Sequence, residues 1–173
     1  VAREDRRFWT HAGVDVQGVM RAFVQTYLVK DSQQGGSSLT QQYVKNVLLM
    51  QAIEDDDSIA QYHATEDTIA RKIREMLISV QMEKKYSKAE ILQGYLNIAQ
   101  FGNNLYGVET AAQRYFSVSA ADLNVVQSAT IAAITKNPSL YDPLVEENQK
   151  ESENQRNIVL KLMLQEGYIT QKQ

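Results

Sequence analysis

A chain of 173 residues, 43% hydrophobic and 23% charged, is long enough to bury a core and needs neither disorder nor a fibrous repeat to explain its composition. A net charge of −3 and a pI near 5.4 provide no basic field for polynucleotide phosphates, so nucleic acid is not an expected partner. The lack of cysteine excludes disulfide staples and thiolate metal sites, and no apolar run approaches the roughly 20 residues of a membrane-spanning helix, the longest being Val47 to Met50.

Only two prolines and eight glycines interrupt apolar positions that recur at helical spacing, which predicts a mainly α domain with few strands. From Asp15, a good N-cap, Val16, Val19, Met20, Phe23 and Tyr27 form one amphipathic stripe. Ser38 and Gln41 have capping-box spacing and open a second helix bearing Leu39, Tyr43, Val47 and Leu48. The acidic run Glu54 to Asp57 reads as a solvated linker. A third helix over Thr68 to Lys85 is predicted to pack Ile69, Ile73, Met76, Leu77 and Val80. A fourth starts at the Ser87 and Glu90 capping box and continues through Ile91, Leu92, Tyr95 and Leu96. Further helices are predicted near Gly107 to Phe116, Asn124 to Lys136 and Glu147 to Glu166, with Pro138 to Pro143 as a turn and Gly167 as the final stop. No solenoid repeat is present, so one domain over residues 1–173 is expected.

Three polar segments are not accounted for as helix faces: Glu4 to Asp15 (EDRRFWTHAGVD), Gln34 to Asn46 (QGGSSLTQQYVKN) and Arg71 to Glu75 (RKIRE). Gly35 and Gly36, followed by Ser37, Ser38, Thr40, Gln41 and Gln42, place hydroxyl and amide groups at a helix start, where free N–H groups attract anions. Lys45 two turns on, with Arg71, Lys72 and Arg74, supplies cations suited to a phosphate or pyrophosphate. Glu4 and Glu75 are candidates for the base and the stabilising group that displacement at a sugar carbon requires. His11, flanked by Thr10 and Ala12, reads as a hydrogen-bonded structural histidine, His63 sits in a polar stretch without metal-ligand neighbours, and no zinc site is predicted.

In this order, the three segments resemble the signature motifs of glycosyltransferase family 51, the transglycosylase domains of class A penicillin-binding proteins and monofunctional transglycosylases. Tyr86 to Gly102 (YSKAEILQGYLNIAQFG) resembles a fourth motif and Gln155 to Met163 (QRNIVLKLM) a fifth, so the similarity covers nearly the whole chain. The resemblance implies a lysozyme-like helical fold with a larger globular lobe and a smaller membrane-facing lobe. It implies polymerisation of lipid II into glycan strands with inversion at the anomeric carbon and release of undecaprenyl pyrophosphate, sensitive to moenomycin. Glu4 then matches the general base and Glu75 the second glutamate, which acts at the pyrophosphate. No cofactor is required, although a divalent cation, Mg or Mn, is an accompanying expectation at Glu75.

By the same resemblance, Lys45, Arg71, Lys72, Ser37, Gln41, Gln42 and Asn46 bind substrate or pyrophosphate. Asp5, Phe8, His11 and Gly13 hold the loop presenting Glu4, while Asn97, Gly102, Glu109 and Arg156 are scaffold. Ser38 replaces a usual threonine, Gln155 a frequent arginine, and Gln51 to Asp67 lacks the extra arginine that some members carry. Lipid II, the growing lipid-linked glycan, the outer leaflet of the cytoplasmic membrane and other cell-wall synthesis proteins are the implied partners. Since Val1 is not an initiator methionine, the chain reads as a fragment of a larger protein anchored by an upstream transmembrane helix at the extracytoplasmic face. Phe23, Tyr27, Leu28 and Val47 to Met50 are the expected membrane-facing set. A lysozyme-like hydrolase and an inactive helical interaction module are the alternatives. No Ser-x-x-Lys motif occurs, so transpeptidation is not expected of this chain.

Overall fold

The computed structural model describes residues 1–24, 36–102 and 104–172. Arg3–Tyr95 form one compact unit and the chain from Leu96 onward another. The first unit contains α1 (Val16–Val24), α2 (Leu39–Glu54), α3 (Ser58–Thr65), α4 (Ile69–Lys85) and most of α5 (Lys88–Ile98). The second holds a short antiparallel hairpin, β1 (Gln100–Gly102) and β2 (Leu105–Tyr106), followed by α6 (Val108–Phe116), α7 (Val125–Ile134) and α8 (Gln149–Gln165). The fold is mainly α, as the periodicity predicts. Among the described residues no helix is long and apolar enough to cross a membrane.

Helix boundaries follow the cap chemistry written in the sequence. Asp15 accepts the Gly18 N–H at 3.0 Å at the start of α1. Ser38 and Gln41 form the reciprocal capping box of α2, and Asn124 and Gln127 an equivalent one at α7. The Ser87 N–H donates to Glu90 at 2.7 Å ahead of α5. Gly167, with φ of +74°, follows α8 in the left-handed conformation that ends helices. In the second unit the small residues Ala129 and Ala133 of α7 let Val159 of α8 pack directly against them.

Two expectations are corrected. The acidic run is exposed, but it is more than a linker: Asp57 accepts the N–H groups of Ile59 and Ala60 at 3.0 and 2.9 Å and caps the unforeseen α3. That helix escapes an apolar-period search because Ile59 and Tyr62 face outward and Ala64 is its one buried residue.

The second correction concerns α4. Its helical period is as predicted but its phase is shifted: Ile69, Ile73 and Leu77 are 80%, 51% and 64% exposed and Met76 and Val80 are half-buried, whereas Arg71, Glu75 and Ser79 are buried. Residues two apart lie about 200° apart around a helix, so turning the polar ladder inward necessarily turns the isoleucine and leucine stripe outward. Ile73→Ser and Leu77→Ser are therefore expected to change unfolding free energy by no more than about 0.5 kcal/mol. Ser79→Leu should cost about 1–3 kcal/mol by overfilling a packed site. Urea denaturation monitored by circular dichroism measures both, and the reverse ranking would return the apolar stripe to the core.

Candidate active site

The loop that carries Glu4 is pinned to the first unit by its own side chains. Asp5 Oδ2 accepts the Leu39 N–H at 2.9 Å, at the first turn of α2, and lies 2.8 Å from His11 Nε2. Phe8 is fully buried between Trp9, 5.1 Å away edge-on, and the Lys88 ammonium, 4.6 Å above its ring. Gly13 has φ of +90°, and a Cβ there would meet the Ser79 backbone at 2.7 Å, so the loop can lie against α4 only with glycine at this position. The Ser38 hydroxyl donates to the Gly13 carbonyl at 2.6 Å and locks that contact from the α2 side.

Glu4 itself stays partly open to solvent, with a side-chain exposure of 27%. Gln42 Nε2 reaches its carboxylate at 3.5 Å, and the Tyr95 hydroxyl donates to Gln42 Oε1 at 3.2 Å. Burial, and secondarily the negative Glu4, push the Tyr95 phenol well above its ordinary range, so it remains a donor. A fixed donor on Oε1 turns the amide so that its NH2 faces Glu4.

The second glutamate is set differently. Glu75 is 2% exposed and paired with Arg71 one helical turn earlier, and Lys72 Nζ lies 3.6 Å from its other oxygen. Arg71 also donates to the Glu66 carbonyl and has Asp67 at 3.8 Å, so its guanidinium is consumed inside the fold. Lys72 is more open, with a 40% exposed side chain, and donates to Ser37 Oγ at 3.1 Å. Ser37, Lys72, Glu75 and Arg71 thus form one chain of contacts from the start of α2 to α4.

Gln41 is a cap buried in the fold: its Oε1 accepts the Ser38 N–H at 2.9 Å, and its Nε2 is buried with no hydrogen-bond partner among the described residues. The expectation of free N–H groups at the start of α2 is also corrected, since Asp5 takes the Leu39 N–H and Ser38 Oγ the Gln41 N–H. Lys45 and Asn46 are half-buried further along α2. Gly35 lies outside the described residues. In the second unit Glu109 accepts the Ala120 N–H at 2.8 Å and Arg156 pairs with Glu153 at 2.9 Å.

Among the described residues no group of three or more acidic or histidine side chains could hold a metal ion. Glu75 faces two cationic side chains, Arg71 and Lys72, which compete with any divalent ion for its oxygens.

These features meet in a sequence whose relationships are extensive. The profile of the transglycosylase family matches residues 1–164. The chain belongs to this family. Across its whole length it is 39% identical to penicillin-binding protein 1A of Aquifex aeolicus and 38% identical to penicillin-binding protein 2a of Streptococcus pneumoniae. It covers 22% and 21% of those proteins. Over 98% of the chain it is 40% identical to penicillin-binding protein 4 of Bacillus subtilis, covering 25% of it. The chain therefore spans a quarter or less of these relatives. Membership of the transglycosylase family favours neither hydrolysis nor an inactive module.

Glu83, Lys88 and Tyr95, which contact residues of this site, are not among the site residues expected from the sequence of this transglycosylase domain. The available signal was the polar ladder Arg71, Glu75, Ser79, Glu83, repeating every four residues on a helix whose apolar residues form an equally regular stripe. Because Arg71 is buried against Glu75, Glu75→Gln leaves a buried cation without its counter-charge, and a loss of about 3–5 kcal/mol is expected. Replacing both as Arg71→Met with Glu75→Leu should recover most of that loss. Chemical denaturation of the single and double variants checks this, and equal losses in both would exclude the ion pair as the cause.

Proposed function

We propose that this domain polymerises lipid II, with Glu4 as the general base that removes the proton from the acceptor sugar 4-hydroxyl. That oxygen attacks the anomeric carbon of the lipid-linked donor chain, the bond to the pyrophosphate oxygen breaks, and the configuration inverts. The observation that carries the reading is Glu4 itself: a solvent-accessible carboxylate on a loop anchored by Asp5, Gly13 and Phe8, with the Gln42 amide beside it. A base needs both access to the reacting proton and a fixed position, and general-base catalysis contributes about 10²–10⁴-fold.

On this reading Lys72 and Lys45 meet the departing pyrophosphate, while Arg71 acts one step removed by fixing Glu75, which holds Lys72. Ser37 positions the same lysine, Gln42 orients Glu4, and Asn46 belongs to the substrate-facing stretch of α2. No divalent cation is assigned a step.

Glu4→Gln is expected to abolish polymer, a loss of at least about 10²-fold, without lowering thermal stability. The measurement is incubation with labelled lipid II and gel separation of products. The wild-type ladder should disappear with moenomycin and persist with EDTA. Retained polymer in a folded Glu4→Gln variant would overturn the role of Glu4, and loss with EDTA restored by Mg would return a cation to the site.

A lipid-tailed substrate needs a route from the bilayer. The set expected from sequence changes accordingly: Tyr27 and Leu28 lie outside the described residues, Val47 to Leu49 are half-buried, and Met50 is exposed. We assign membrane contact instead to the outward residues Ile59 and Tyr62 of α3 and Ile69, Ile73 and Leu77 of α4. The domain then works at the extracytoplasmic face of the cytoplasmic membrane, within a larger anchored protein and alongside other cell-wall synthesis proteins. Changing Ile69, Ile73 and Leu77 together to serine should weaken cosedimentation with phosphatidylglycerol vesicles by roughly tenfold or more while leaving the fold intact. Unchanged vesicle binding by the folded variant would remove these residues from the contact.

A further inference from the structure

Glu83 and Lys88 are half-buried residues whose side chains are 6% and 19% exposed, carry opposite charges, and take no part in the chemistry described so far. Lys88 Nζ lies 2.7 Å from both carboxylate oxygens of Glu83, and the Thr40 hydroxyl donates to Glu83 Oε1 at 2.6 Å. The same ammonium stands 3.3 Å from His11 Nδ1. An ammonium can only donate, so Nδ1 of His11 is the acceptor and the ring proton sits on Nε2, where it donates to Asp5 Oδ2 at 2.8 Å. Asp5 in turn accepts the Leu39 N–H and is joined to Glu4 by one peptide bond. The groups facing the imidazole are then Asp5 on one nitrogen, Lys88 on the other, Glu83 at 3.8 Å from Nδ1, and the Phe8 ring edge-on.

We propose that Glu83 and Lys88 are positioning residues for the catalytic base: Glu83 holds Lys88, Lys88 fixes the His11 tautomer, and that tautomer holds Asp5 and so the backbone of Glu4. The proposal rests on Glu4 being the base. Each link has a direction. Without Lys88, Nδ1 can carry the proton and turn toward Glu83, leaving Nε2 as an acceptor facing the Asp5 carboxylate, two lone-pair groups at hydrogen-bond distance. Asp5 would then lose a partner, and the loop would be held by the Leu39 N–H, the Ser38–Gly13 contact and the buried Phe8 without the His11 bond. A displacement of the base by about 1 Å can cost about 10²-fold in turnover without changing how substrate is bound.

The test pairs kinetics with a direct reading of the imidazole. The chain has two histidines, and His63, exposed and beside Glu66, serves as the internal control. With ¹⁵N-labelled histidine, long-range proton–nitrogen NMR at pH 8 should show His11 in the wild type as the Nε2–H tautomer alone. Lys88→Met, which keeps an unbranched side chain without the ammonium, should mix the tautomers of His11, leave His63 unchanged, and lower kcat on lipid II roughly ten- to a hundredfold at unaltered KM. Lys88→Arg should restore both the tautomer and kcat.

Where Glu83→Gln alone unfolds, Glu83→Gln with Lys88→Met removes both charges together and gives the same two readings. Wild-type kcat in folded Lys88→Met, or a fall in kcat with His11 still wholly Nε2–H, overturns the proposal. The NMR reading needs no substrate, so a mixed tautomer together with a wild type that makes no polymer would count against the lipid II reading alone.

Discussion

The inward polar face of α4 is the constraint on which the first unit depends. Arg71, Glu75, Ser79 and Glu83 recur every fourth residue along one side of the helix, and each is used. Arg71 and Glu75 neutralise one another, the Ser79 hydroxyl returns to the Glu75 carbonyl at 2.7 Å, and Glu83 gathers Thr40 of α2 and Lys88 of α5. A buried ion pair is weak evidence for net stability, because desolvation offsets its Coulombic gain. Its value is in specifying geometry: with Gly13 resting on the Ser79 backbone, the Glu4 loop and the start of α2 can dock in only one way.

The start of α2 shows how that docking shapes the site. A helix N-terminus attracts a negative charge, and a glycine-rich approach to one invites a phosphate reading. Here the protein supplies the anion itself, since Asp5 occupies the Leu39 N–H and Ser38 the Gln41 N–H. The helix end has become the anchor of the Glu4 loop. Any pyrophosphate must therefore be met mainly by side chains, which is why Lys72, fixed by Ser37 and Glu75 yet still open to solvent, matters more to the proposed chemistry than the loop's glycines.

Much of the fold was legible because it is written in local rules. Asp15, Ser38, Ser87 and Asn124 cap helices where their spacing to Gly18, Gln41, Glu90 and Gln127 says they should, and such chemistry needs no tertiary information. Motif order likewise identified Glu4, Asp5, His11 and Glu75 as residues of interest. Hydrophobic phase was not legible. Periodicity reports which residues share a face but not which face is buried, and on α4 the general preference for apolar interiors points the wrong way. Glu83 was hidden for the same reason: on an assumed outer face it reads as solvent charge, and it gains meaning once the ladder from Arg71 is known to turn inward.

The same inversion bears on how a water-facing reaction could use a lipid-tailed substrate. Each large aliphatic side chain left in water forgoes about 1.5–3 kcal/mol of burial, so the outward Ile69, Ile73 and Leu77 together forgo an amount comparable with the whole stability of a typical domain. A protein can carry that surface if something other than its own core covers it, and a bilayer is the covering that the proposed substrate brings with it. An α-helix with its side chains is about 10–12 Å across. Glu75 therefore sits about one helix diameter from the apolar stripe, and Lys72, three residues after Ile69 and 3.6 Å from Glu75, lies between the two faces. A pyrophosphate is bonded directly to the lipid that anchors it, so an enzyme acting there must present cationic and apolar surfaces at such close spacing. On the proposed reading α4 does both, with one face organising charge and the other meeting lipid.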